Sequence, residues 1–193
     1  MPAGFKYDLN PMDMLKELCR FDTVYRLSGG FNFEDANVPS GTMLMPLTPL
    51  YVDMTTRKAS VVKNVKVVEK VTSGTKIKIV KGSFVYKGMH LGNGTAGATV
   101  SSIDTGNAVY DELTMSAAGL TPDVGDILFE AAAADGTTPK ATANFLNYAV
   151  TKAEAGATVT AIAQAYEVQE SKLYAPISAK DKETLTSRFL FTI

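Results

Sequence analysis

The chain has 193 residues, of which 46% are hydrophobic and 20% charged, and its formal net charge is −1. This composition is that of a globular protein with enough apolar residues for a core, in one domain or in one domain with a small attachment segment. The near-neutral charge excludes sequence-independent binding of nucleic acid, which requires an excess of Lys and Arg. The single cysteine excludes an internal disulfide and a Cys-rich zinc site.

The sequence also lacks the patterns of membrane insertion and export. No apolar run approaches the ~18–20 residues of a membrane span, so we expect no membrane partner. The N-terminus lacks the charged start, apolar middle and small-residue cleavage site of a secretory signal. We therefore expect synthesis and assembly in a cytoplasm.

The first part of the chain begins with a short predicted helix. Asn10 is a good N-cap, and Pro11 suits the first helical position. Met14, Leu18 and Phe21 then fall on one helical face, because they are spaced at i, i+4 and i+7. We predict that this helix ends near Cys19–Phe21.

A turn-rich segment, residues 28–37, follows the helix and carries Phe31 and Phe33. Large aromatic side chains need a surface to pack against. Two interpretations are open: residues 1–45 pack back on their own domain, or they form an extended arm that anchors on another subunit or protein. The second interpretation makes Phe21, Phe31 and Phe33 the candidate contact residues.

The rest of the chain is dominated by short strand-like runs separated by Gly-containing turns. In residues 76–81 lysines alternate with apolar β-branched residues, as in a half-buried strand. We interpret the lysine row as a solvated strand face rather than a phosphate-binding stripe. Residues 92–99 are Gly-rich but lack the spacing and the Gly-Lys-Ser/Thr end of a phosphate loop, so we predict a plain loop there.

The strongest strand prediction lies in the second half of the chain. A Gly-Asp turn precedes Ile127, Leu128 and Phe129, which we predict to form a buried core strand. We interpret Asp126 as a turn former and Glu130 as a strand-end charge rather than as catalytic groups.

The residues contain no motif for catalysis, for a cofactor or for a metal ion. His90 has no carboxylate, cysteine or second histidine at a useful spacing. The carboxylates between Asp104 and Glu130 lack the order of a calcium loop. We therefore predict no enzyme, no cofactor and no metal, with a hydrolase or metal site as a minor alternative.

Residues 158–168 are compatible with two secondary structures. Their apolar residues also fit a helical face, but a Thr-Val-Thr start after a Gly turn favours a strand, which we predict. Ser178, with Asp181 at the third helical position, predicts a capped short helix. The apolar residues 189–193 predict a buried terminal strand.

Together these patterns predict a mainly β protein. We expect a compact β-sandwich or barrel-like domain with one or two short helices and an extended N-terminal arm. The predicted division is an arm with a short helix in residues 1–45, for attachment or packing, and a β-rich domain in residues 46–193.

An ordered series of short motifs in this chain resembles a known family. The motifs are Val67-Val68-Glu69-Lys70, Ile77-Lys78-Ile79-Val80-Lys81, Lys87-Gly88-Met89, Ser102-Ile103-Asp104, Gly125-Asp126-Ile127-Leu128-Phe129-Glu130-Ala131, Asn144-Phe145-Leu146, Ala157-Thr158-Val159 and Leu185 with Phe189-Leu190-Phe191. Over about residues 60–193 the chain resembles the head fiber and head decoration proteins of tailed bacteriophages. The chain lacks the long stalk of true fibers, so fiber and decoration protein both stay open.

The resemblance implies a non-enzymatic virion protein on the exterior of the capsid, made in the host bacterial cytoplasm. Its implied partners are the major capsid protein and copies of itself, as a homotrimer. On this hypothesis Phe21, Phe31 and Phe33 dock on the major capsid protein, while the β-rich domain trimerises.

Two further classes stay open beside this one. A β-rich carbohydrate- or receptor-binding module would use exposed aromatic residues to hold a host-surface glycan, although the chain has no Trp. Its candidate residues are Tyr86, Tyr110, Tyr148 and Tyr166. The other class is a structural protein of the tail or baseplate, which shares the same sequence features.

Overall fold

The computed structural model describes residues 11–193, with side chains from Met14 onward. Over the described residues the fold is mainly β, as the sequence predicts. The strands form two curled sheets, each a half-barrel, and one two-stranded pair. In the part of the chain that the structure describes, no helix is long and apolar enough to cross a membrane.

The strands are short and follow one another closely. In chain order they are β1 (Arg20–Arg26), β2 (Phe31–Phe33), β3 (Met43–Leu44), β4 (Pro49–Asp53), β5 (Lys58–Val61), β6 (Asn64–Lys66), β7 (Lys76–Val80), β8 (His90–Gly92), β9 (Gly97–Asp104), β10 (Tyr110–Met115), β11 (Ile127–Glu130), β12 (Phe145–Asn147), β13 (Thr151–Lys152), β14 (Thr158–Val159), β15 (Ala161–Gln169) and β16 (Phe189–Thr192).

The larger sheet has eight strands drawn from both ends of the chain. Its order is β1-β15-β12-β4-β5-β2-β14, and β16 pairs with β15 in addition. The pairs β2–β5 and β15–β16 are parallel. Long-range pairing therefore joins the N-terminal strands to the C-terminal ones, and β3 pairs separately with β13.

The smaller sheet has six strands in the order β6-β11-β8-β9-β10-β7. The sheet curls so that its two outer strands approach each other, and a single bridge joins Val67, just beyond β6, to Ile79 of β7. Ile77 and Ile79 of β7 are buried inside the curl, while Lys76 and Lys78 pair with carboxylates on the outer face. The lysine row is thus a strand face with ion pairs, which agrees with the sequence interpretation.

Two short helices pack on the larger sheet. They are α1 (Pro11–Leu18) and α2 (Ala179–Leu185). α2 begins as predicted, because the Ser178 side chain accepts from the backbone N–H of Asp181 and the Asp181 side chain accepts from the backbone N–H of Ser178. The predicted N-cap of α1, Asn10, lies outside the described residues.

The hydrophobic core consists of three clusters. The first fills the smaller sheet, and the second packs both helices on β12, β15 and β16. The third lies on β2, β4, β5 and β14. Large buried side chains of the first cluster include Ile77, Ile79, Leu91, Leu113 and Leu128. Those of the second include Leu15, Leu146, Ile162 and Leu185. Those of the third include Phe31, Leu44 and Leu50.

The structure resolves the ambiguity of residues 158–168 in favour of strand, since β14 and β15 cover all of them except Thr160. The terminal strand is confirmed as β16. The expectation that this end is wholly buried is wrong, because Leu190 is 56% exposed while Phe189 is buried. Alternation within the strand explains the difference: only one of its faces meets the core.

Residues 11–45, the described part of the N-terminal segment, pack back on the chain itself, which is the first of the two interpretations open from sequence. α1 contributes Leu15 to the second core cluster. β1 pairs with β15, and β2 lies between β5 and β14. Residue 45 as a domain boundary stays a prediction.

Candidate functional site

Four charged side chains meet beside a cavity of about 220 Å³. We call Asp35, Lys63, Glu130 and Lys140 the charged cluster. Lys63 lies where the chain passes from β5 of the larger sheet to β6 of the smaller one, and Glu130 ends β11. The charged cluster is therefore built at the junction of the two sheets.

Lys63 and Asp35 form the buried half of the charged cluster. The Lys63 Nζ lies 2.6 Å from Asp35 Oδ2, and the two side chains are only 4% and 5% exposed. Asp35 Oδ2 also accepts from the backbone N–H of Val61 at 3.2 Å, and Oδ1 accepts from that of Asn37 at 3.0 Å. Burial of charges is costly unless they are paired and hydrogen-bonded, so this geometry is what permits the pair.

Glu130 links this buried pair to Tyr86 and to the partly exposed Lys140. Its Oε2 lies 3.9 Å from Lys63 Nζ. Its Oε1 accepts from the Tyr86 hydroxyl at 2.5 Å and from Lys140 Nζ at 2.7 Å. Its backbone N–H donates to the Lys63 carbonyl at 2.9 Å. The Glu130 carboxylate is thus fixed from three sides.

Glu130 raises the pKa values of the two groups that donate to its Oε1 atom. Burial and the hydrogen bond to Glu130 raise the pKa of the Tyr86 hydroxyl. The hydrogen bond to Glu130 likewise raises the pKa of the Lys140 ammonium. Both groups therefore remain hydrogen-bond donors to Glu130 at neutral pH.

The arrangement places the Lys63 amine against the carboxyl groups of Asp35 and Glu130, so each charged group lies next to a group of opposite charge. Within residues 11–193 the structure brings together no group of three His, Cys, Asp or Glu that could hold a metal ion. The clear structural effect of the charged cluster is to tie the loop after β2 and the start of β6 to the end of β11.

The three phenylalanines predicted to contact a partner lie in different surroundings. Phe31 is 1% exposed in the third core cluster, and the Arg57 guanidinium lies 4.7 Å from the centre of its ring. Phe33 is half-buried against the same cluster, whereas Phe21 is half-buried against the second cluster, near the helices. The structure therefore does not bring the three rings together in one exposed patch.

The run predicted as a core strand forms β11, which lies between β6 and β8. Leu128 is fully buried, Phe129 is 4% exposed and Ile127 is half-buried. In the preceding turn the Asp126 side chain accepts from the backbone N–H of Asp123 at 2.8 Å. Asp126 is thus a turn former, but Glu130 is a buried member of the charged cluster rather than a simple strand-end charge.

The four tyrosines considered for glycan binding divide between the two sheets, with Tyr86 and Tyr110 at the smaller and Tyr148 and Tyr166 at the larger. Tyr86 donates to Glu130. The Lys78 ammonium lies 5.0 Å from the Tyr110 ring centre, and the Arg26 guanidinium lies 5.3 Å from that of Tyr148. Three of the four rings are thus engaged within the chain.

Sequence reasoning missed Asp35 and Lys63. Asp35 stands in a turn-rich segment, where an aspartate is expected for turn formation alone. The sequence did contain a sign that Lys63 is buried, because Lys63 interrupts an apolar run. Val62 and Val65, on either side of it, are both buried. A lysine inside such a run requires a buried counter-charge, but the run cannot identify which carboxylate supplies it.

Residues 6–147 match the phage protein family described as head fiber protein. The match covers well over half of the chain. It includes the N-terminal segment, which the resemblance in sequence did not reach, and it ends with β12. No curated protein sequence and no solved structure matches the chain.

Proposed function

Because the chain belongs to the phage head fiber protein family and is a structural component of the phage head and virion, we propose that it binds the outer surface of the capsid. It acts there as a head decoration or head fiber protein, which stabilises the shell or displays a surface domain. The family is of a structural, non-enzymatic kind. The family match is the observation that carries this proposal.

The charge of the chain supports a contact that does not depend on electrostatic attraction. The formal net charge is −1, and the exposed charges form pairs such as Lys70 with Asp123 and Lys58 with Glu34. Salt screens exposed charges within about 10 Å at 0.1 M ionic strength, but it weakens apolar contacts little. We therefore expect the capsid contact to persist at high salt.

The N-terminal segment is our proposed capsid contact. The family match begins there, at residue 6. Phe21 and Phe33 are half-buried, so part of each ring is available to a partner, while Phe31 is buried and holds β2 in the sheet. The β-rich part of the chain would associate as a homotrimer on the capsid, since copies around a symmetry axis bury equivalent surfaces.

Sedimentation with empty phage heads that lack this protein tests the proposal. We expect the purified chain to sediment with heads at low salt and at 1 M salt. A chain that stays in the supernatant at low salt, or that moderate salt removes from heads, contradicts the proposal.

Two variants locate the contact. Deletion of residues 1–10 removes no described helix or strand, and Phe33→Ala removes a half-buried ring; both should weaken head binding. Val109→Ala is the matched control, because Val109 is 78% exposed and lies at the smaller sheet. Equal binding by the two variants and by the control would remove residues 1–10 and Phe33 from the proposed contact.

Oligomeric state is tested separately by the mass of the purified protein in solution. We expect a mass three times that of the 20.6 kDa chain. A monomer that nevertheless binds heads would retain the capsid contact and remove the trimer from the proposal.

A further inference from the structure

The charged cluster contains the reactants of an amide bond in hydrogen-bonded contact. The Lys63 amine nitrogen lies 2.6 Å from Asp35 Oδ2, and Glu130 Oε2 lies 3.9 Å from the same nitrogen. We propose that Lys63 and Asp35 condense to an intramolecular isopeptide bond, with Glu130 as the proton carrier.

Burial distinguishes this pair from the other close lysine–carboxylate pairs. Lys70 and Asp123 also lie 2.6 Å apart, but their side chains are 61% and 64% exposed. Water stabilises the charged forms of an exposed pair, and a charged amine is not a nucleophile. The Lys63 and Asp35 side chains are only 4% and 5% exposed, so little water surrounds the amine and the carboxyl group that would react.

The reaction needs a neutral amine and a neutral carboxylic acid. Passage of one proton from Lys63 to Asp35 along their hydrogen bond produces both. The amine nitrogen then attacks Asp35 Cγ, Glu130 accepts a proton from that nitrogen, and the C–Oδ2 bond breaks. The Oδ2 hydroxyl leaves with the proton returned by Glu130 as one water molecule, so no oxidant or other reactant is required.

The surroundings suit each part of this step. The backbone N–H of Asn37 donates to Asp35 Oδ1 and stabilises the negative charge that develops there during attack. Tyr86 and Lys140 hold the carboxylate of Glu130 in place. Asp35, Lys63 and Glu130 all line the cavity of about 220 Å³, which gives the released water a place to go.

The bond would join the loop after β2, in the larger sheet, to the residue that precedes β6, in the smaller sheet. The two residues are 28 positions apart. A covalent link of this kind restricts the unfolded chain and so stabilises the folded one. The bond would also replace a buried ion pair by a neutral amide.

Mass spectrometry of the purified full-length chain tests the proposal directly. The intact mass should fall short of the sequence mass by one water. After digestion with trypsin, residues 27–57 should be found joined to residues 59–66, since trypsin does not cleave at a lysine whose amine is in an amide. Separate peptides 27–57 and 59–63, with no mass deficit, would overturn the proposal.

Matched variants assign the roles. Lys63→Arg should restore the full mass, whereas Lys70→Arg, in the exposed pair of equal length, should keep the deficit. Glu130→Gln should slow bond formation by ~100-fold or more, the usual contribution of a positioned proton carrier. A deficit that persists in Lys63→Arg overturns the proposal, and a Glu130→Gln variant that reacts as fast as the parent chain removes Glu130 from it.

Discussion

Three glycines touch where the loop after β11 crosses the hairpin of β8 and β9. Gly92 and Gly97 flank the hairpin turn, and Gly136 lies against both. A Cβ atom at any of the three would lie closer than 3.0 Å to backbone atoms of the others or of Ala96. Backbone atoms cannot move aside as a flexible side chain does, so this crossing requires glycine.

Gly136→Ala should therefore lower the free energy of unfolding by about 3 kcal/mol or more, since it adds a steric clash to the cost of a positive φ. Gly136 has φ +69°. Gly74→Ala is the control, because Gly74 has φ +98° but nothing within 4 Å of the added Cβ. It should cost only about 1 kcal/mol. Urea unfolding of both variants measures the difference, and equal losses would contradict the clash.

Cys19 gives a second prediction for a single residue. Burial raises the pKa of its thiol from 9.0 to about 11, and its Sγ lies 3.5 Å from the Leu15 carbonyl oxygen. The thiolate is the reactive form, so native Cys19 should react with iodoacetamide far more slowly at pH 8 than the urea-unfolded chain does.

The same pKa shift predicts how stability depends on pH. A folded-state pKa above the unfolded value means that this contribution to stability is fully present below pH 9 and is lost as the pH rises through about 11.

Mass spectrometry of the alkylated chain measures the reaction of Cys19 with iodoacetamide. Fast alkylation of the folded chain at pH 8 would contradict the burial of Cys19.

Among the helices and strands, α2 shows how one side chain can place a whole element. Asp181 Oδ2 accepts from the Ser178 backbone N–H and from Asn64 Nδ2, and Oδ1 accepts from the backbone N–H of Ala143. Asn64 belongs to β6 in the smaller sheet, and Ala143 precedes β12 in the larger one. Asp181 therefore caps α2 and binds both sheets to it.

Asp181→Ala should lower the free energy of unfolding by about 3 kcal/mol, because it leaves several buried donors without an acceptor. Glu183→Ala is the control within the same helix. Glu183 pairs with Lys180 on the exposed face, so its loss should cost less than about 0.5 kcal/mol. Thermal unfolding of the two variants compares them, and similar melting temperatures would contradict this role of Asp181.

Helices and strands that are marked by capping or turn residues could be predicted from the sequence. The contacts between residues far apart in the chain could not. The Ser178–Asp181 spacing predicts α2, and the Gly-Asp turn before Ile127 predicts β11, because capping and turn formation involve neighbours in the chain. The pairing of Asp35 with Lys63 depends on the register of separate strands. No local pattern contains that register, so the charged cluster became visible only in the folded chain.

The whole molecule depends on contacts between its two ends. β1 forms its sheet pairing with β15, and β2 lies between β5 and β14. Removal of the N-terminal segment would uncover β15, β5 and β14 and would take Leu15 and Phe31 from two core clusters. The same segment carries Asp35, the counter-charge of the buried Lys63. Residues 11–45 are thus an integral part of the fold that the structure describes.

Deletion of residues 1–45 should therefore prevent cooperative folding of the remaining chain. This deletion exposes apolar strand edges and leaves Lys63 buried without its carboxylate, a loss of about 3–5 kcal/mol for the ion pair alone. Near-ultraviolet circular dichroism and a single urea transition report the native packing. If residues 46–193 unfold in one sharp transition with the native spectrum, they form an independent domain and the N-terminal segment is an arm.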